Sequence, residues 1–136
     1  MMFRLMFLLG FAFFVSTQNL MAGPLEQLIL NNKVATEFNA GNLKSAEKLA
    51  KKLEDPNIKQ LWFSNLIGKH FQNDDLKSVG RLLPELTDPN IQQLWISNIV
   101  AKAMQTKRCH LGRSWINKLT DQNLKQLWKL NYRMGC

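Results

Sequence analysis

The sequence predicts an all-α protein, a short α/α solenoid of 33-residue helical hairpins, and three observations carry that prediction. The stretch Asp55-Pro56-Asn57-Ile58-Lys59-Gln60-Leu61-Trp62 returns as Asp88-Pro89-Asn90-Ile91-Gln92-Gln93-Leu94-Trp95, and again as Asp121-Gln122-Asn123-Leu124-Lys125-Gln126-Leu127-Trp128. The offset is 33 residues each time, and residues 55–87 set against 88–120 share 13 identities without a gap. Between the copies the apolar residues keep helical spacing, and no segment alternates convincingly with the period of two expected of a half-buried strand.

A fainter first copy, Leu25-Glu26-Gln27-Leu28-Ile29, stands one period earlier. The units therefore run at about 22–54, 55–87 and 88–120, with a half unit at 121–136 acting as a terminal capping helix. Asp55 and Asp88 are expected N-caps, since a short carboxylate accepts from the free amides of the first turn. Pro56 and Pro89 suit the first helical position, where a missing N–H costs nothing. Ile58, Leu61, Trp62 and Leu66 in one copy, and Ile91, Leu94, Trp95 and Ile99 in the next, form the apolar pattern of a long helix. Gln72 to Asp75 interrupts, with Asp74 or Asp75 as a second cap, and Leu76, Val79, Leu82, Leu83 and Leu86 mark a shorter partner helix that Pro84 kinks or shortens. In the half unit Lys129 and Arg133 replace the apolar pairs Phe63/Ile96 and Ile67/Val100, as suits an end facing water.

The start of the chain reads as an address. A short positive segment ending at Arg4 precedes an eleven-residue apolar run, Leu5 to Val15, which is too short to span a bilayer as a helix but has the length of a secretory signal. Polar residues Ser16 to Asn19 follow, and Leu20-Met21-Ala22-Gly23 offers a small residue for cleavage, although Leu20 is bulky for that motif. Residues 1–22 are thus expected to be a signal peptide and 23–136 a secreted or periplasmic helical-repeat domain with no stable membrane span. The alternative is an uncleaved anchor.

These hairpins resemble tetratricopeptide-like repeats, particularly versions with an Ile/Leu-x-Asp-Pro joint between units. The resemblance covers 23–136 and rests on Pro56 to Trp62 and Pro89 to Trp95. The chain departs from the family where Leu66 and Lys69, then Ile99 and Lys102, replace the usual small and aromatic residues. Similarity to such solenoids implies a groove that binds a peptide or protein, commonly lined by Asn.

Four asparagines share one register, Asn32, Asn65, Asn98 and Asn131, each four residues after a leucine. An amide side chain offers both a donor and an acceptor to an extended peptide, so this row is the expected partner-binding face. The competing expectation is a buried ladder of amides bonded to each other or to the neighbouring backbone. Gln27, Gln60, Gln93 and Gln126 form a second row, assigned to the surface or to bonding between units, and the tryptophans are assigned to the core.

The chain carries 18 basic and 10 acidic residues; without Arg4 the balance is 17 to 10, a net +7 that favours anionic partners. Lys44 and Lys48, with Lys51 and Lys52, place a basic stripe on the first partner helix, and Lys107, Arg108 and Arg113 form a second cluster. They support the runner-up function, a basic module binding an anionic polymer such as nucleic acid or charged glycolipid. A third reading pairs two chains through Trp128 and Tyr132 into a dimer. Cys109 begins a helix antiparallel to the last one, which brings it near Cys136 and makes a disulfide reachable in an oxidising compartment. Separate thiols or an intermolecular bridge are the alternatives. His70 and His110 occupy unmatched positions without spaced metal-ligand partners, and no phosphate-binding glycine loop or nucleophile motif is present. The expectation is a binding protein without cofactor, metal, small-molecule substrate or catalytic residues.

Overall fold

The computed structural model describes residues 23–136, so the expected signal peptide lies outside the described residues. Among the described residues the chain is all-helical with no strand. Helix α1 covers residues 23–39, followed by α2 (Leu43–Ala50), α3 (Pro56–Gln72), α4 (Leu76–Leu82), a 3-10 turn (Leu83–Glu85), α5 (Pro89–Gln105), α6 (Cys109–Ile116) and α7 (Gln122–Gly135). No helix among them is long and apolar enough to cross a membrane. The chain divides into two compact units, one ending at Trp62 and the other Phe63–Cys136, with the division inside α3.

Three aspartates start three long helices in the same way. Asp55 Oδ1 accepts from the Asn57 and Ile58 amides at 2.8 and 3.2 Å, Asp88 from Asn90 at 2.8 Å, and Asp121 from Asn123 and Leu124 at 2.9 and 3.1 Å. The ends of the long helices repeat as well. Gly41, Asp74 and Lys107 adopt left-handed φ angles of 81°, 60° and 59°, each 33 residues after the last. The following amides reach back five residues, from Asn42 to Glu37, Asp75 to His70 and Arg108 to Ala103, at 2.9, 2.9 and 2.7 Å. This is the Schellman closure, which satisfies carbonyls that a helix end otherwise leaves bare. Glycine adopts the turn freely, whereas Lys107 holds it against a steric cost of about 1–2 kcal/mol.

In the first unit Val34, Ala46, Ala50 and Leu53 are buried. Gln27 Oε1 accepts from the Glu54 amide at 2.9 Å, tying the start of α1 to the end of its own hairpin. Trp62 leans on Phe38 at 5.6 Å between ring centres and donates from Nε1 to Asn31 Oδ1 at 2.6 Å.

In the second unit Asp75 caps α4 by accepting from the Ser78 amide at 3.1 Å. Pro84 cannot supply the amide that a continuing α-helix needs; α4 stops at Leu82 and tightens into the 3-10 turn. Helices α3 and α5 bury Leu66, Ile67, Ile96, Ile99 and Val100, against which Val79, Leu82, Leu86, Ile116 and Leu119 complete the apolar core. Two glycines allow close approach. Gly80 lies against the Trp115 indole and Gly112 against the Tyr132 phenol, and at either a methyl group would overlap the ring.

Candidate functional site

The leucines that precede the asparagines are not core. Leu94 and Leu127 are 60% and 53% exposed, and Leu28 and Leu61, at the same register in the first unit, are 56% and 60% exposed. The reason is phase. At 100° per residue Leu94 stands about 140° around the helix from Ile99, a buried residue, and in phase with Asn90, Asn98, Ala101 and Gln105. The apolar pattern in each long helix is therefore wider than its buried face, and at least one leucine per repeat is left in solvent.

The Asn row lies on that same solvent-facing side. Asn32 and Asn65 are exposed and Asn98 and Asn131 half-exposed, so the row is not the buried amide ladder. Among the described residues none of the four side chains makes a hydrogen bond, which leaves each amide free to donate and accept.

Helices α5 and α7 set two such stripes side by side. Trp128 Nε1 donates to Ser97 Oγ at 3.4 Å, and the buried Tyr132 hydroxyl donates to the Val100 carbonyl at 2.9 Å. Three residues further along α5 meet four further along α7, so the helices run parallel and their exposed stripes face the same way. The face consists of Asn90, Leu94, Asn98 and Gln105 on α5, with Asn123, Leu127, Asn131 and Met134 on α7. Leu130 and Met134 are 54% and 82% exposed and extend its apolar part. It contains no charged residue, in a chain with 28 of them among 136.

Other expected sites take different places. Lys44 and Lys48 are exposed on α2 and line an open cleft with Glu37, Asn42 and Ser45; Asn32 is not part of it. The second basic cluster is dispersed. Arg108 Nη2 donates to Asp74 Oδ1 at 2.6 Å, Lys107 Nζ to the Gly135 carbonyl at 3.0 Å, and Arg113 turns towards α7. Tyr132, expected at an edge between chains, is 3% exposed, with its ring and hydroxyl used inside the unit, while Trp128 is half-exposed. Two members of the Gln row bond within their own hairpin. Gln93 Oε1 accepts from Thr120 at 2.8 Å, as Gln27 does from Glu54. Trp62, Trp95 and Trp128 are half-buried braces between long helices; Trp95 meets Phe71 edge-on at 5.7 Å. Cys109 and Cys136 are joined as a disulfide, with Cα atoms 5.8 Å apart, which fastens the start of α6 to the end of α7.

Charge near the turns is compensated. The Arg108 hydrogen bond holds the Asp74 carboxyl below its ordinary range, with Lys102 Nζ adding attraction from 3.5 Å. Hydrogen bonds from Ser78 hold Asp75 low, and His70 Nδ1 stands 3.2 Å from it. The other His70 nitrogen, Nε2, is buried and has no hydrogen-bond partner. Burial pushes the Tyr132 phenol up, opposed by Arg113. No group of three or more His, Cys, Asp or Glu side chains converges among the described residues.

Fold and face together define an all-α protein with an uncharged surface of leucine and free amides. No family model, curated protein or solved structure matches the chain.

Proposed function

We propose that this chain is an exported helical-repeat module that binds an extended peptide segment of a protein partner through the uncharged face of α5 and α7. The observation that carries the reading is the pairing of an exposed leucine with an unpartnered asparagine four residues on, at Leu94/Asn98 and Leu127/Asn131. Leucines give affinity by desolvation, about 1–2 kcal/mol each for the area still exposed. The amides give direction, because each can donate to and accept from a peptide backbone. Lack of charge selects against the acidic ligands that the rest of the surface attracts. The 33-residue recurrence of caps and left-handed turns supports reading the chain as stacked hairpins of tetratricopeptide type. The leader-like sequence of residues 1–22 and the Cys109–Cys136 bond support an oxidising destination outside the cytoplasm.

Selection of random displayed peptides on the disulfide-bonded protein tests this. The expected winners are segments with apolar, uncharged contact residues, whose affinity changes little with salt and falls about tenfold in Asn98→Ala/Asn131→Ala. Enrichment of acidic segments that dissociate steeply as salt rises would replace the reading with a basic module binding polyanions.

A further inference from the structure

A second feature of the Phe63–Cys136 unit is separate from the uncharged face. A cleft of about 430 Å³ opens between α6 and α7, lined by Arg113, Ile116, Lys129, Tyr132, Arg133 and Cys136. Two of the three cations, both on α7, break the 33-residue pattern. Lys129 occupies the register of Phe63 and Ile96, and Arg133 that of Ile67 and Val100, four residues that are all buried. Arg113 occupies the register of Glu47 and Gly80. The two departures on α7 and Arg113 on α6 thus converge on one recess.

Lys129 and Arg133 have no carboxylate partner among the described residues, while Arg113 Nη2 lies 3.4 Å from a main-chain oxygen of Cys136. Lys129 and Arg133 stand four apart on α7, a like-charge spacing that destabilises a helix unless something neutralises it. The wall between them is apolar, made by the buried Ile116 and Tyr132, so an anion entering the recess is attracted more strongly than on an open surface. The disulfide fixes α6 to α7 and holds the opposing cations in place. Guanidinium groups from two sides suit phosphate oxygens, and the volume is that of a small-molecule site.

We propose that this cleft binds a small soluble polyphosphate, whose oxygens accept hydrogen bonds from Arg113, Lys129 and Arg133. The proposal stands independently of the peptide-binding face. The test is calorimetric titration of the disulfide-bonded protein with inorganic pyrophosphate at low salt. One saturable site is expected, weakened about tenfold or more in Lys129→Gln/Arg133→Gln. Arg113→Gln, on the other helix, weakens it as well. The control Lys33→Gln/Lys77→Gln removes equal charge from exposed positions outside the cleft lining and leaves the affinity within about twofold. All variants alter exposed residues and retain the wild-type thermal midpoint without ligand. Absence of saturable heat, or equal weakening in the control, would overturn the site. Retention on phosphatidylglycerol vesicles that pyrophosphate fails to displace would overturn a soluble ligand in favour of a lipid headgroup.

Discussion

Replacing Gly112 by alanine adds one methyl group where the Tyr132 phenol already lies. A Cβ at 112 overlaps the hydroxyl oxygen and two ring carbons, and both helices are held by the Cys109–Cys136 bond, so the strain cannot be relieved by sliding α7 away. Overpacking of this kind costs about 1–3 kcal/mol. Displacing the ring also breaks the buried bond from Tyr132 to the Val100 carbonyl, a further loss of about 0.5–1.5 kcal/mol. Against these, alanine gains about 0.8–1 kcal/mol of helix propensity over glycine in the interior of α6. The net expectation is a destabilisation of about 1–3 kcal/mol, seen as a lower midpoint in urea unfolding followed by circular dichroism. Gly68 provides the opposite sign. A Cβ there is 3.8 Å from the Trp95 ring, an ordinary contact, so Gly68→Ala stabilises by about 0.5–1 kcal/mol. Tyr132→Leu opens space for the added methyl, and its combination with Gly112→Ala is less destabilising than the sum of the two. If Gly112→Ala stabilises the protein as Gly68→Ala does, α6 and α7 do not approach as described, and the shared face of α5 and α7 falls with them.

Further consequences follow from the turns, the bond and the carboxylates. Lys107→Gly relieves a left-handed lysine and, after glycine's own entropic cost, raises stability by about 0.5–1 kcal/mol, measurable as a higher thermal midpoint. Reducing the disulfide, whose cysteines are 27 residues apart, costs about 3.5 kcal/mol by the chain-entropy relation, and urea unfolding with and without reductant checks this. Asp74 and Asp75 both have folded pKa values below their unfolded ones, so the native state binds fewer protons than the unfolded chain at acidic pH. Their contribution is fully present above about pH 5 and is lost as pH falls through about 4 and below. Asp75→Asn is therefore expected to flatten the acid side of a stability–pH curve while keeping part of the cap; an unchanged acid limb would remove Asp75 from the account.

The sequence made the ends of the elements readable and left the phase of the long helices obscure. Asp55, Asp88 and Asp121 announce their helices because a capping carboxylate acts within three residues of itself. Pro84 likewise stops α4 through its own missing amide. Leu61 and Leu94 were hidden because they recur at helical spacing among residues that are buried, and spacing alone does not say where a wide apolar stripe ends. Their phase with Asn57 and Asn90, rather than with Phe63 and Ile96, was the available signal. The left-handed turns were partly legible. Gly41 is an ordinary helix terminator, and its register points to Asp74 and Lys107, but a lysine in that conformation has no signature of its own. The role of Tyr132 depends on the space left by Gly112, twenty residues away, and no local pattern records such a fit.

If the leucines of α5 and α7 are kept in solvent for a partner, Leu94→Ala/Leu127→Ala weakens binding without weakening the fold. Stability by urea unfolding and affinity for the selected peptides are measured on the same protein. Stability within about 0.5 kcal/mol of wild type per site, as for exposed positions, and affinity at least about tenfold weaker are expected. A loss of about 2–5 kcal/mol of stability per site, as for buried leucines, would contradict that expectation by making these residues core, and so would unchanged affinity.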